Sequence, residues 1–455
     1  MKLPVTIMMI ALAALCFASP VTEEVYAKLG KKYDARTDPP FAPGTERFVA
    51  WRDPAKAERS DRTEGLFRQL RDIRRKGRFV YSWTHPWPEA AQEFRVMTEN
   101  GPVPKAPDDS DFVGGFARKF GCNPVMYFTD FYFVTGTWQT PERYAETRAS
   151  LLGMIRKAWR MYQAVPVFSW HVENPYVPAG WRDVKYGDAP YRYRYASPGY
   201  PAEHARVIRE ILSGQGKTCG SGRSNGTTGT PYATPRAWYD ARLDDIASFL
   251  KELKDEEAKP IPAVVRLFHE CEVDWHWWGG KSALTREYIM LFRYTVNRLR
   301  ESAGGGRDLL FAYSTDRYWK TATSADGAGD FLYRYPGDDV VDIVGFDDYS
   351  IGTGNDDEVA KRLASTIEKM KMVSAFAVAH GKASGLFETG VRGARDDAYD
   401  WIFAAMTAPG VAFGFVNTWG GGYTMPETEA GIACWKRFLA RPEVVTYGAD
   451  VRLVP

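Results

Sequence analysis

The stretch "AVVRLFHECEVDWHWWGG", residues 263–280, opens as a short β-branched apolar run and ends in a carboxylate, three tryptophans and two glycines. Its first half reads as a strand buried on both faces. Its second half is polar and aromatic, which is the composition of a site carried at a strand end and not of a further strand. Working outward, the same pattern recurs along the chain. Candidate strands are "GRFVYSW" near 77–83, "PVMYFTDFY" near 124–132, "VPVFSW" at 165–170, "AVVRLFHE" at 263–270 and "DLLFAYS" at 308–314. "VVDIVGF" at 340–346, "SGLFE" at 384–388 and "VAFGFVNTW" at 411–419 complete the set.

The intervals between these runs carry helical periodicity. In "TREYIMLFRYTVNRLR", Ile289, Phe292, Val296 and Leu299 recur at three and four residues. Leu243, Ile246, Phe249, Leu250 and Leu253 share one side of "RAWYDARLDDIASFLKEL". Eight strand candidates alternating with helices predict an α/β fold, a single (β/α)8 TIM barrel with extended loops. One such loop is the Gly/Ser/Thr-rich stretch at 213–231.

The chain has 455 residues, with 45% hydrophobic and 25% charged residues and a formal charge of +2. That composition excludes a disordered chain and gives no electrostatic reason to expect nucleic acid as a partner. Fifteen tryptophans and 25 tyrosines favour ring-shaped, weakly charged ligands. The opening "MKLPVTIMMIALAALCFASP" has a basic start, an apolar run and a small-residue exit. It predicts a signal peptide over residues 1–18, cleaved after Ala18, and hence a secreted, periplasmic or cell-surface protein. Lipid attachment at Cys16 is disfavoured by the bulk of Leu15, and stable membrane insertion is not expected. Residues 19–60 are expected to pack on the barrel, with residues 61–455 forming the catalytic domain. Cys122, Cys219, Cys271 and Cys434 are too widely spaced to reveal a pairing, and oligomeric state is not legible.

Active sites of such barrels sit at the carboxyl ends of the strands. There the sequence places His171 and Asn174 after the third strand, and His269 and Glu270 after the fourth. Asp347, Asp348 and Tyr349 follow the sixth, Glu388 the seventh and Trp419 the eighth. Two carboxylates facing each other are the minimum equipment for glycosidic cleavage, one as proton donor and one as nucleophile. Glu270 and Glu388 are 118 residues apart but can face across a barrel mouth. Direct attack requires carboxyl groups about 5–5.5 Å apart. The tryptophans are expected to offer stacking platforms for sugar rings, with a core plug built from "DWHWWGG" as the equal alternative. "HECEVDWH" lacks the HExxH spacing of a zinc helix, and no P-loop, dinucleotide fingerprint or serine elbow is present, so neither metal nor cofactor is expected.

The motifs "SWHVENP", "RLFHECEVDWHWWG", "DIVGFDDYS", "FETG" and the late "TW" occur in an order that resembles glycoside hydrolase family 26, composed mostly of β-mannanases. The resemblance spans roughly residues 60–440, and the fourth-strand motif is its most specific part. It implies a retaining (β/α)8 hydrolase with Glu270 as acid/base and Glu388 as nucleophile. It also implies that His171, His269, Trp275, Tyr349 and Trp419 bind substrate. The polysaccharide partner it implies is a β-mannan, galactomannan or glucomannan cleaved internally. Release of mannobiose from chain ends, action on mixed-linkage glucan or β-1,3-xylan, and a non-catalytic glycan-binding role are the alternatives. Cys271 and Glu272 depart from the "MN" common in mannanases, His276 replaces a common phenylalanine, and Gly420, Gly421 and Gly422 follow Trp419. Those departures put the distal subsites in doubt and leave the two glutamates in place.

Overall fold

The structure is a computed structural model that describes residues 58–84, 123–135, 141–176, 207–219, 223–224, 227–228, 232–273, 276–279, 283, 285–302, 306–317, 331–332, 334–420, 423–424, 426–446 and 452–454. The expected signal peptide, most of the 19–60 segment, Cys16, Cys122 and Trp275 lie outside those residues.

Eight parallel strands close into a barrel: β1 (Phe79–Thr84), β2 (Met126–Asp130), β3 (Val165–Ser169), β4 (Ala263–Arg266), β5 (Leu309–Asp316), β6 (Ile343–Asp347), β7 (Ala383–Thr389) and β8 (Phe415–Thr418). Closure is made by β1 pairing with both β2 and β8, with Val80 opposite Phe415 and Ser82 opposite Met126. The (β/α)8 expectation holds, and all eight candidate runs supply a strand. The strands are buried almost throughout, as strands wrapped by helices must be.

The surrounding helices are α1 (Asp61–Asp72), α2 (Pro141–Tyr162), α3 (Val207–Ser213), α4 (Pro235–Glu252), α5 (Thr285–Ser302), α6 (Asp356–Ala379), α7 (Ala398–Thr407) and α8 (Glu429–Leu439). Their starts are written locally. Thr234 caps α4 by accepting from the Ala237 amide, and Pro235 takes the first turn, where no amide partner is needed. Asn355 and Glu358 form a reciprocal capping box on α6. The periodic residues face inward as expected: Ile289, Phe292, Val296 and Leu299 of α5 are buried, and so are Leu243, Ile246 and Phe249 of α4.

The barrel floor is aromatic. Phe128 of β2 meets Phe387 of β7 at 6.1 Å and Phe415 of β8 at 6.2 Å, while Phe387 and Phe415 stand edge-to-face at 5.0 Å. Since β2 and β7 are not neighbours, these rings meet across the lumen. Gly385 makes the room: a Cβ there would lie 2.3 Å from the Phe415 ring. The floor fills the barrel beneath the strand carboxyl ends. Phe415→Ala is expected to lower the unfolding free energy by about 3–5 kcal/mol, read by equilibrium denaturation. A loss below about 1 kcal/mol would show that the three rings do not form a packed floor.

Candidate active site

The fourth strand ends at Arg266, four residues before the expected end at Glu270. Beyond it Phe268 and Glu270 have φ of 47° and 53°, the left-handed region that non-glycine residues seldom adopt. These reversals turn the chain back over the barrel mouth and need support to persist. The Glu270 amide donates to Ser314 O at 3.1 Å. Tyr288 Oη donates to Phe268 O at 2.9 Å. The Arg334 guanidinium donates to Cys271 O and Ala283 O, both at 2.6 Å. Gly279 completes the turn, because a Cβ there would sit 2.3 Å from Val273 O.

Two of the tryptophans serve this turn and not a ligand. Trp277 and Trp278 are fully buried, and their indole N–H groups donate at 2.9 Å to Val172 O and His269 O respectively. The expectation that they form sugar platforms is corrected accordingly: with no exposed face they are scaffold. Trp419, half-buried just past β8, keeps an accessible face. Its ring lies 6.1 Å from His171.

Arg266, fully buried, spans the lumen above the aromatic floor, with its guanidinium 5.1 Å from the Phe387 ring centre. It donates to the Glu388 and Asp347 carboxylates, and its Nε donates to Ser314 Oγ at 2.7 Å. Asp347 and Glu388 are direct register partners at the ends of β6 and β7. The other Glu388 oxygen accepts from Tyr349 Oη at 2.6 Å. One carboxylate oxygen from each of Glu270, Asp347 and Glu388 lies within 4.8 Å of the others.

Burial lifts the Glu388 carboxyl above the usual glutamate range, with Arg266 opposing and Glu270 adding to the rise. Burial does the same to Asp347, again against Arg266. Burial alone would lower Arg266, but Asp347 and Glu388 outweigh it and hold the guanidinium above its usual value. Tyr349 is held protonated by burial and by the charge of Glu388, so it is a donor.

Three of the chain's six histidines gather beside Glu270. The His171 and His269 rings are 4.5 Å apart, and those of His269 and His276 are 5.0 Å apart. Asp130, at the end of β2, accepts from the His171 amide at 3.1 Å and meets its Nδ1 at 2.5 Å. Burial works to lower the His171 pKa, but Asp130 outweighs it and raises it. His276 Nε2 stands 3.3 Å from Glu270 Oε2. Burial lowers the pKa of both His269 and His276, so both are neutral imidazoles near pH 7. Among the described residues, metal-ligating atoms come within 4.8 Å of one another in two sets, His269/Glu270/His276 and Glu270/Asp347/Glu388. In the second set Arg266 already supplies a positive charge to two of the three carboxylates.

Residues 234–402 match the family described as Glycosyl hydrolase family 26. Over that span the chain is similar to glycosyl hydrolase family 26. The matched span holds Arg266, Glu270, His276, Asp347, Tyr349 and Glu388. A mannan endo-1,4-beta-mannosidase of Bifidobacterium adolescentis is 35% identical over 157 residues, covering 34% of this chain and 15% of that protein. Another, from Thermothelomyces thermophilus, is 29% identical over 145 residues, 31% of this chain and 26% of that protein. The matches thus span less than a third of either relative. Among solved structures, GH26C from a Muricauda species covers 87% of this chain and 95% of its own at 23% identity, with a TM-score of 0.66. A modular endo-beta-1,4-mannanase from Cellulomonas fimi covers 90% and 79% at 22% identity, with a TM-score of 0.62. At these identities the likeness shows a shared fold.

Of the residues singled out in the sequence, Glu270, Glu388, His171, His269, Tyr349 and Trp419 come together at one rim. Trp275 lies outside the described residues. Arg266 and Asp130 escaped the sequence reading because only strand-end residues were weighed against the fourth strand's apolar run, and the second strand's end was passed over. A further group, Asp316, is pushed up to about 7 by burial and then by the charge of Glu270. Burial also holds Glu272 well above the usual range. Cys219, Cys271 and Cys434 are buried free thiols.

Replacing Arg266 by Met strands two buried carboxylates. The folded-state pKa values of Asp347 and Glu388 then rise further above their unfolded values, so folding is favoured at low pH and stability falls as pH rises through them. Arg266→Met is therefore expected to cost about 3–5 kcal/mol near neutral pH, less in acid, in urea melts recorded across pH. A pH-independent deficit would mean that Arg266 acts through packing alone.

Proposed function

We propose that this protein is a retaining glycoside hydrolase that cleaves β-1,4-mannan internally. The observation that carries the proposal is the approach of Glu270 and Glu388 oxygens to within 4.8 Å at the strand carboxyl ends. That separation suits direct attack, since inverting enzymes need about 6.5–9.5 Å between carboxyl groups to admit a water. The similarity of residues 234–402 to family 26, and to proteins named mannan endo-1,4-beta-mannosidase, supports the substrate class.

In this reading Glu388 attacks the anomeric carbon while Glu270 gives its proton to the departing oxygen. Arg266 and Tyr349 each bind one Glu388 oxygen, which fixes the carboxylate for attack and keeps its charge tolerable above an apolar floor. When Glu388 becomes an ester its charge disappears. Glu270, now a carboxylate, takes a proton from water, which releases the sugar with retained configuration. His171, oriented by Asp130, and Trp419 flank the reacting ring. The opening segment supports export of the protein, and N-terminal sequencing of secreted material tests it: a chain still beginning at Met1 would remove that part.

Product analysis on linear β-mannan is the direct test. Mixed manno-oligosaccharides are expected, with about 10²–10⁴-fold loss in Glu270→Ala and loss as least as large in Glu388→Ala. Mannobiose alone would replace internal cleavage by release from chain ends, and cleavage only of mixed-linkage glucan or β-1,3-xylan would replace the substrate. Full activity in either variant would sink the assignment, and inertness on every glycan would favour a binding protein.

Because Glu388 must be ionised to attack and burial raises its pKa, the acid limb of kcat/KM is expected above the ordinary glutamate value of about 4.3. Tyr349→Phe removes a hydrogen bond to a charged group, worth about 1.5–3 kcal/mol, and should lower kcat/KM about 10–100-fold while moving that limb upward. A limb that stays put would detach Tyr349 from the nucleophile.

A further inference from the structure

The sequence offers no zinc motif, because its histidines lack the spacing that puts two of them on one helical face. The fold brings two of them together by another route. Beside the left-handed turn at Glu270, His269, Glu270 and His276 present ligand atoms within 4.8 Å of one another. We propose that His269, Glu270 and His276 form a binding site for a borderline-soft divalent cation, Zn²⁺ or its like, whose occupation blocks Glu270.

The donor set fits that class. Two imidazole nitrogens and one carboxylate oxygen are ligands of zinc, and a fourth position open to the cleft suits water. Tetrahedral coordination with bonds of about 2.0–2.2 Å puts neighbouring ligand atoms about 3.3–3.6 Å apart. His276 Nε2 and Glu270 Oε2 already stand 3.3 Å apart, and a shift on the order of 1 Å brings in the third ligand. Both imidazoles are built on one support. The His276 ring stacks on Trp278 at 4.2 Å with an interplanar angle of 9°, and the Trp278 indole donates to His269 O at 2.9 Å. Such outer contacts fix ring orientation at metal sites.

Charge favours a cation as well. The Arg266 guanidinium bridges Asp347 and Glu388, and Glu270 brings a third carboxylate to the same rim. Access is through the cleft, where the Glu270 side chain keeps 11% of its surface exposed. The site depends on His276, the position where phenylalanine is common among the chains this sequence resembles. Coordination takes the Glu270 lone pair, so the carboxylate cannot carry the proton the leaving oxygen needs. That consequence rests on the hydrolase reading; the binding itself does not.

The test titrates Zn²⁺ into the chelator-stripped full chain by calorimetry, and Co²⁺ with detection of the visible absorption of a tetrahedral complex. The wild type is expected to take one ion at this site. His276→Phe keeps a ring on Trp278 but removes the nitrogen, and should bind at least about tenfold more weakly, while the remote His380→Gln binds like wild type. Should His276→Phe fail to fold, His276→Gln carries the same expectation. Equal affinity in the wild type and the His276 variant, or no binding at millimolar metal, would overturn the proposal. In parallel, Zn²⁺ should inhibit mannan hydrolysis, reversibly with chelator, and less so in the His276 variant. A chain that binds metal yet cleaves no glycan would keep the site and remove the hydrolase reading; an active chain indifferent to Zn²⁺ would do the reverse.

Discussion

A guanidinium buried in the lumen of a barrel is tolerable only if carboxylates meet it, and carboxylates buried there are tolerable only if a cation meets them. Arg266 on β4 bridges Glu388 on β7 and Asp347 on β6. The strands between them hold it in register, since Arg266 pairs with Ala312 of β5 and Asp316 of β5 pairs with Asp347. Beneath lies the triangle of Phe128, Phe387 and Phe415, which excludes water and makes the charges interact strongly. Above lies the mouth. The whole site is organised around where that one positive charge is delivered.

The balance is deliberately unequal. One guanidinium serves two carboxylates, and Glu270 and Asp316 add further acid nearby. Burial and mutual repulsion therefore raise carboxyl pKa values on this rim, as in sites where acids must hold or exchange protons near neutral pH. Tyr349 supplies what Arg266 cannot, a neutral donor to the second oxygen of Glu388 that holds it without further charge.

The run after β4 shows how scaffold and chemistry share one segment. Trp277 and Trp278 give their N–H groups to backbone carbonyls and support a strained turn, while Glu270 and His276 use that turn to reach the lumen rim. A buried aromatic and a ligand platform have the same letters in sequence; only the direction of the indole separates them.

The one-dimensional pattern carried the periodic part. Strands buried on both faces read as apolar runs, helices as three-and-four spacing, and their alternation as a closed barrel, so the eight strands and the rim bearing Glu270, Glu388, His171, His269, Tyr349 and Trp419 were legible. The family motif around Glu270 carried the rest of that reading. Tertiary structure alone decided the partnerships. Arg266 sits inside an apolar run of sequence, where one-dimensional pattern gives no hint that its charge meets Glu388 across 122 positions of chain. Asp130 finds His171 across a βα unit, and His276 finds Glu270 beside a turn whose Phe268 and Glu270 lie in the left-handed region. Local pattern reports which way a residue faces. Which charge it faces is set by closure of the barrel, and closure joins residues the chain keeps far apart.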